Sequence, residues 1–375
     1  MPDTTRLSEA RRALLEKHLR GELLPTTKTV DDTTRCVAAK VASPRACMVA
    51  VQTGGTRRPF FFLHGDYKGG AFYCFPLARH LGSDRPFYAL DPYRFDDLRI
   101  PPTLEDMAAA HIQSLRTVQP EGPYLLGGFC NGAIVAYEMA RQLHAEGQGV
   151  DLLVLMDPPP FAFLKWMHDL VKRLGNLLRL DRERQLFWFL WLRHLYRYVQ
   201  HLYRYLRFPS YRDLKTGLTA EQLKQDGGTI LALKALHERN LVQNAERLEN
   251  HEQLEPEGKS TKGSFAPASL RLDSIFPDPI FPTSIALRHD YPGMFYWATA
   301  DYMPDLYPGE STFFFFRESQ GVGRRSLKWR KLAMAKDKEV DVHVLAGTHD
   351  TCKTRHLRDL TERLRMCLSK AQETK

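Results

Sequence analysis

A cysteine stands between two glycines in Gly128-Phe129-Cys130-Asn131-Gly132. The apolar run Tyr124-Leu125-Leu126 leads into it, and Ala133-Ile134-Val135-Ala136-Tyr137-Glu138-Met139-Ala140 leads away. Strand, sharp turn and helix with G-x-C-x-G at the turn make the pattern of a nucleophile elbow, with sulfur where a serine hydroxyl is usual. The strained backbone of such a turn leaves no room for neighbouring Cβ atoms, which accounts for the glycines. The chemistry is attack of a thiolate on an acyl carbon. A helix N-terminus and a nearby histidine both favour the thiolate. A buried structural cysteine between loop glycines is the plain alternative, and the flanking strand and helix favour the elbow.

A thiol attacking an acyl group needs a base, a group to orient the base, and donors for the oxyanion. In a chain of this pattern they follow in the order nucleophile, acid, histidine, each on a loop after a strand. Of fourteen histidines, His349 in Ala346-Gly347-Thr348-His349-Asp350 alone falls between the last strand and the last helix. His343 lies within that strand, and His356 is read as part of the helix. Asp157, directly after the strand Asp151–Met156, is the first candidate for the acid. Glu318, after the strand Ser311–Phe316, is its rival. The oxyanion donors are the backbone N–H of Asn131 and one from the loop His64-Gly65-Asp66-Tyr67-Lys68-Gly69-Gly70. Asp66 and Tyr67 are both candidates there, Asp66 preferred.

The elements that must carry these residues alternate. Strand patterns cover 47–51, 60–63, 87–90, 124–126 and 151–156, with helical patterns at 75–81, 103–118 and 133–145 between them. Phe60-Phe61-Phe62-Leu63 is wholly apolar, as in a strand covered on both faces. Such alternation predicts an α/β fold: a mostly parallel sheet with helices on both faces, in the α/β-hydrolase plan. The alternation stops at Pro158-Pro159-Pro160 and resumes with strands at 311–316 and 340–345 and a helix from Thr354 to about Cys367. The expected organisation is an N-terminal helix (Leu7–Leu23) and linker over 1–45, a core of 46–160 and 305–375, and a helical lid insertion over 161–304. Within the insertion, 184–208 and 229–248 read as helices and 251–270 as a polar loop.

Composition is that of an ordinary globular protein, 43% hydrophobic and 26% charged. The N-terminus lacks the apolar run of a signal peptide, and no stretch approaches the roughly 18 apolar residues of a membrane span. Six cysteines scattered over 375 residues make no disulfide framework, and no CxxC or His–Cys spacing suggests zinc. A cytoplasmic setting is expected, with no metal or organic cofactor. The net charge of +9 is concentrated between Leu164 and Lys215, where twelve Lys/Arg face four Asp/Glu. In 184–208, apolar residues at 188, 192, 195, 199, 202 and 206 set one stripe. Arg193, Arg197, Arg204 and Arg207 set another, read as the opposite, solvent face. A local basic face points to an acidic partner. Nucleic acid is not expected, because no binding motif accompanies the charge, and a membrane surface is a lesser option. The aromatics Phe187, Trp188, Phe189, Trp191, Tyr196, Tyr198, Tyr203 and Tyr205 suit a large apolar substrate, or pack the lid onto the core.

With these residues placed, the chain resembles the thioesterase domains that end polyketide and nonribosomal peptide assembly lines. The likeness covers about 60–160 and 304–367. It includes Phe75-Pro76-Leu77-Ala78-Arg79-His80-Leu81-Gly82, Val118-Gln119-Pro120-Glu121-Gly122-Pro123-Tyr124, Val135–Leu143, Leu153-Val154-Leu155-Met156-Asp157 and Tyr307-Pro308-Gly309. The resemblance implies that the acid follows the strand after the elbow, which supports Asp157, and that the histidine is His349. It implies a substrate borne on the phosphopantetheine of an acyl or peptidyl carrier protein, which the basic lid face would receive. This chain departs from the family in its cysteine nucleophile and its long lid, and it looks free-standing. A cysteinyl acyl-enzyme stays activated, which favours transfer or cyclisation. A hydrolytic, editing or chain-releasing thioesterase is the alternative enzyme. A non-catalytic carrier-binding scaffold is the alternative of another class.

Overall fold

A computed structural model describes residues 45–67, 70–160, 164–207, 282–317, 329, 341–349 and 351–373. The expected N-terminal helix, the helix over 229–248, the loop over 251–270 and Glu318 lie outside the described residues.

Seven strands form one sheet. They are β1 (Met48–Gln52), β2 (Phe60–Leu63), β3 (Phe87–Leu90), β4 (Tyr124–Phe129), β5 (Val150–Met156), β6 (Ser311–Phe316) and β7 (Asp341–Leu345). Their order across the sheet is β1-β3-β2-β4-β5-β6-β7. Only β1 runs antiparallel to its neighbour; the other pairs are parallel. The helices are α1 (Cys74–Leu81), α2 (Leu104–Arg116), α3 (Asn131–Ala145), α4 (Lys165–Leu177), α5 (Arg182–Arg207), α6 (Ser284–Arg288), α7 (Tyr291–Ala298) and α8 (Leu357–Glu373). This is the α/β architecture that the alternation predicts. Among the described residues no helix is long and apolar enough to cross a membrane.

The apolar strands are buried on both faces because successive side chains point to opposite sides of a sheet. Phe61 and Leu63 enter the core under α2 and α3, together with Phe313 and Phe315. Phe60 and Phe62 enter the core under α1 and α8, together with Phe314 and Phe316. Thr103 starts α2 with a reciprocal capping box to Asp106. His356 falls just before α8 rather than inside it, because the chain first makes a short 3₁₀ turn at Thr351–Lys353.

Between β5 and β6 lie α4 to α7, and one sequence expectation fails there. In α5 the buried residues are Gln185, Leu186, Phe189, Leu190 and Arg193. Trp188, Leu195 and Val199, from the stripe read as inward, are exposed. Arg193 therefore points inward and does not belong to a solvent-facing basic face. Its burial is tolerated because Asp290 pairs with it and its guanidinium lies 5.3 Å from the Tyr296 ring centroid. Arg197 is exposed; the side chains of Arg204 and Arg207 are outside the described residues.

Strand β6 is covered on both faces whereas β7 is half exposed. Phe313→Ala should therefore cost about 3–5 kcal/mol, and Val344→Ala less than about 0.5 kcal/mol. Urea unfolding of the two variants checks this; equal losses would contradict the layering.

Candidate active site

Strand β4 delivers Cys130 to a crossing where three backbones nearly touch. Cys130 has φ 53° and ψ −125°, a conformation that L-residues rarely adopt. A Cβ on Gly128 would lie 2.4 Å from the Gly132 carbonyl oxygen, and one on Gly132 would lie 2.4 Å from that of Leu63. On the loop after β2, Gly65 has φ +66° and a Cβ there would lie 2.1 Å from the Phe129 carbonyl oxygen. The glycines thus allow the end of β2 to pass against the turn. Helix α3 starts at Asn131, so its first N–H groups have no intrahelical acceptor and surround the sulfur with positive dipole. Cys130 is half-buried, whereas Cys74, Cys352 and Cys367 are buried.

Asp157 and His349, 192 residues apart in sequence, meet at the same sheet end: His349 Nδ1 lies 2.6 Å from Asp157 Oδ2. Asp157 follows β5 and has φ 42°. Its backbone N–H donates to the Phe314 carbonyl at 2.7 Å, which turns the carboxylate over the end of β6 toward the loop after β7. The Asp157 side chain is fully buried and that of His349 is 34% exposed. The carboxylate is thus sheltered while the ring reaches the surface of the site. Burial opposes charge on the His349 ring, but hydrogen bonds to Asp157 and to Cys130, and the charges on both, outweigh it. The imidazolium is raised to about 9. The His349 ring also packs on Phe129, with centroids 4.5 Å apart.

The second oxyanion amide needs correcting. The Asp66 N–H donates to Nδ1 of His64 at 3.2 Å, so it is engaged within its own loop. The reason is the buried His64. Its Nε2 lies 2.8 Å from Asp91 Oδ1, which leaves Nδ1 as an acceptor for the nearest amide. Tyr67, the other amide weighed, lies in the same loop. Burial, then charge at Tyr296 and at Cys130, hold its phenol well above the ordinary value.

Three neighbours were not visible in the sequence. Tyr296, from α7, is pushed up to about 12, first by burial and next by charge at Cys130, while a hydrogen bond with the Asn131 side chain pulls it back. Lys353 places its ammonium 4.8 Å from the Phe129 ring centroid and 5.3 Å from that of Tyr73. Tyr73 donates to the His64 carbonyl at 2.7 Å and so secures the end of β2. Tyr296 stands 166 residues beyond Cys130, within a stretch whose only visible signal is aromatic content.

Among the described residues two clusters bring metal-capable side chains together. In one, His168 and Asp169 meet Asp301, and Lys165 and Lys172 already neutralise that carboxylate. In the other, His343 lies 3.0 Å from Asp341 and 3.8 Å from Cys367 Sγ. The cysteine comes from α8, a juxtaposition no sequence spacing announces.

Residues 61–185 match the family model of the thioesterase domain. That stretch belongs to the thioesterase-domain family. It includes Cys130 and Asp157, and His349 lies beyond it. The thioesterase stretch is similar to part of the dimodular nonribosomal peptide synthase of Bacillus subtilis (strain 168), 40% identical over 119 residues, 31% of this chain and 5% of that protein. It is also similar to part of polyketide synthase PksR of Bacillus subtilis (strain 168), 36% identical over 113 residues, 30% of this chain and 4% of that protein. The aligned region thus spans 5% or less of the length of these two relatives. Among solved structures, the NocB thioesterase domain in covalent complex with a fluorophosphonate nocardicin G analogue aligns over 84% of this chain and 95% of its own. The identity is 20% and the TM-score 0.43.

Because His349 titrates above its ordinary 6.5, folding favours its charged form. That contribution to stability is complete below about pH 6.5 and is lost as pH rises through about 9. Asp157→Asn removes the strongest upward influence, so the His349 midpoint should fall. NMR titration of the ring protons reads this directly; a midpoint still near 9 in the variant would contradict the assignment.

Proposed function

We propose that this protein is an acyl-transfer enzyme of the thioesterase type, which takes an acyl or peptidyl group from a carrier-bound thioester onto Cys130 and passes it to a nucleophile. The carrying observation is the line of Cys130, His349 and Asp157 at a strained strand-to-helix turn: His349 Nδ1 lies 2.6 Å from Asp157 Oδ2, and Cys130 helps hold the ring charged.

The steps follow from that line. With Nδ1–H donating to Asp157, Nε2 is the nitrogen left to take the Cys130 proton. The thiolate attacks the thioester carbonyl, and the oxyanion is held by the backbone N–H of Asn131 and that of Tyr67. As the intermediate collapses, the bond to the pantetheine sulfur breaks, and that sulfur leaves with the proton held by His349. The acceptor, an amine, a hydroxyl or water, then gives its proton to His349 as it attacks. Cys130 departs as thiolate and regains its proton. Asp157 orients the ring and balances its charge throughout.

The sulfur favours transfer over hydrolysis. Loading exchanges one thioester for another with little drop in free energy, so the acyl group remains activated. Helices α4 to α7 act as a lid whose Tyr296 reaches the elbow. The acidic carrier protein meets the exposed arginines Arg173, Arg179 and Arg182, with Arg193 excluded by its burial. Kinship of residues 61–185 with assembly-line proteins supports the carrier-bound substrate.

Intact-protein mass spectrometry after exposure to acyl-pantetheine thioesters tests the reading. An adduct of one acyl group on Cys130 is expected, and an added amine should convert it to the amide. His349→Ala should slow loading by about 10²–10⁴-fold. Free acid as the sole product in every condition would replace transfer with hydrolysis. No adduct and no product would end the acyl-enzyme reading. Iodoacetamide at neutral pH should mark Cys130 well before the buried Cys74, Cys352 and Cys367, and His349→Ala should erase much of that lead.

A further inference from the structure

Behind the elbow lies a small cavity lined by Leu63, Gly65, Tyr93, His111, Asn131 and Gly132, among others. It offers about 10 Å³ for the centre of a water-sized molecule, the space one water needs. Two of its lining residues, His111 and Asn131, carry buried polar atoms. His111 Nδ1, His111 Nε2 and Asn131 Oδ1 find no hydrogen-bond partner among the described residues. His111, on the inner face of α2, is fully buried, and Asn131 is 5% exposed. Buried polar groups are seldom left unpaired, because each forfeits its hydration without return. Burial, with a smaller push from His64, also keeps the His111 ring uncharged, holding it down to about 4 against the pull of Asp91. A neutral imidazole offers one donor and one acceptor. The cavity therefore suits a neutral group that both gives and takes a hydrogen bond, and it has no charge to recruit an ion.

The Asn131 side chain is the link to the chemistry. It hydrogen-bonds Tyr296 of α7. Oδ1 has no partner, so the amide Nδ2–H is the donor to the phenol. Oδ1 is then the end that needs a donor from the cavity.

We propose that this cavity is a binding site for one buried water, which bridges His111 to Asn131 Oδ1 and makes His111 a positioning residue for the elbow. The water receives a hydrogen bond from, or donates one to, a ring nitrogen of His111, and donates to Oδ1. The Asn131 side chain is then fixed at both ends. The residue whose backbone N–H faces the oxyanion and the tyrosine brought by α7 are held as one unit. The kinetic half of this proposal rests on the acyl-transfer reading above.

Two measurements decide it. In a high-resolution crystal structure of the wild-type protein, an oxygen is expected within hydrogen-bond distance of both a His111 ring nitrogen and Asn131 Oδ1; a dry cavity overturns the bridge. In pre-steady-state loading of Cys130 from acyl-pantetheine, His111→Leu should lower the maximal rate about tenfold and leave the half-saturating concentration within about twofold. His111→Gln, which keeps a donor and an acceptor, should recover most of the rate. Equal rates for His111→Leu and wild type, or no difference between Leu and Gln, would overturn the positioning role. If wild-type Cys130 accepts no acyl group, the acyl-transfer reading fails, and the electron density in the cavity still settles the bridge.

Discussion

The site depends on a steric constraint more than on any single attraction. The end of β2, the turn at Cys130 and the first turn of α3 pass so close that positions 65, 128 and 132 cannot carry a Cβ. That crowding forces Cys130 to positive φ and lifts its sulfur clear of the sheet. It also fixes the distance between the loop after β2 and the helix N-terminus, where an oxyanion would sit. Backbone strain of this kind persists only where the surrounding packing over-determines it. Here β4 lies in the middle of the sheet, paired to β2 on one side and β5 on the other, with every residue buried.

The electrostatics build outward from that point. Asp157 sits in a fully buried position, is tied by its own amide to the neighbouring strand, and meets the His349 ring with its carboxylate. The ring in turn is held between carboxylate and sulfur. Burial alone would discharge it, and the two partners reverse that. Helices α5 and α7 contribute through Arg193 and Tyr296, which stack on each other and reach the elbow through the Asn131 side chain. A buried arginine is tolerable here because Asp290 neutralises it.

Much of this was legible in the residues. The phenylalanine-rich strands announced a sheet covered on both faces. The glycine spacing announced the turn, and the order cysteine, aspartate, histidine announced which loops meet. What failed did so for physical reasons. The apolar spacing in α5 predicts one buried stripe, but a helix packed against several neighbours buries whatever its partners can satisfy. Asp290 and Tyr296 drew Arg193 inward instead. The sequence gives no sign that His64 turns an acceptor toward the Asp66 amide. Tyr296 and the pairing of His343 with Cys367 arise from tertiary contact alone, which periodicity cannot report.

The histidine hangs from the border of the sheet. Among the described residues strand β7 has a neighbour on one side only and is half open to solvent, whereas the sulfur and the carboxylate hang from interior strands. Border strands open at lower free energy than the body of a fold. Gentle warming should therefore peel His349 away from Asp157, with the cysteine turn still intact beneath, and cooling should restore the contact without a full refolding of the chain.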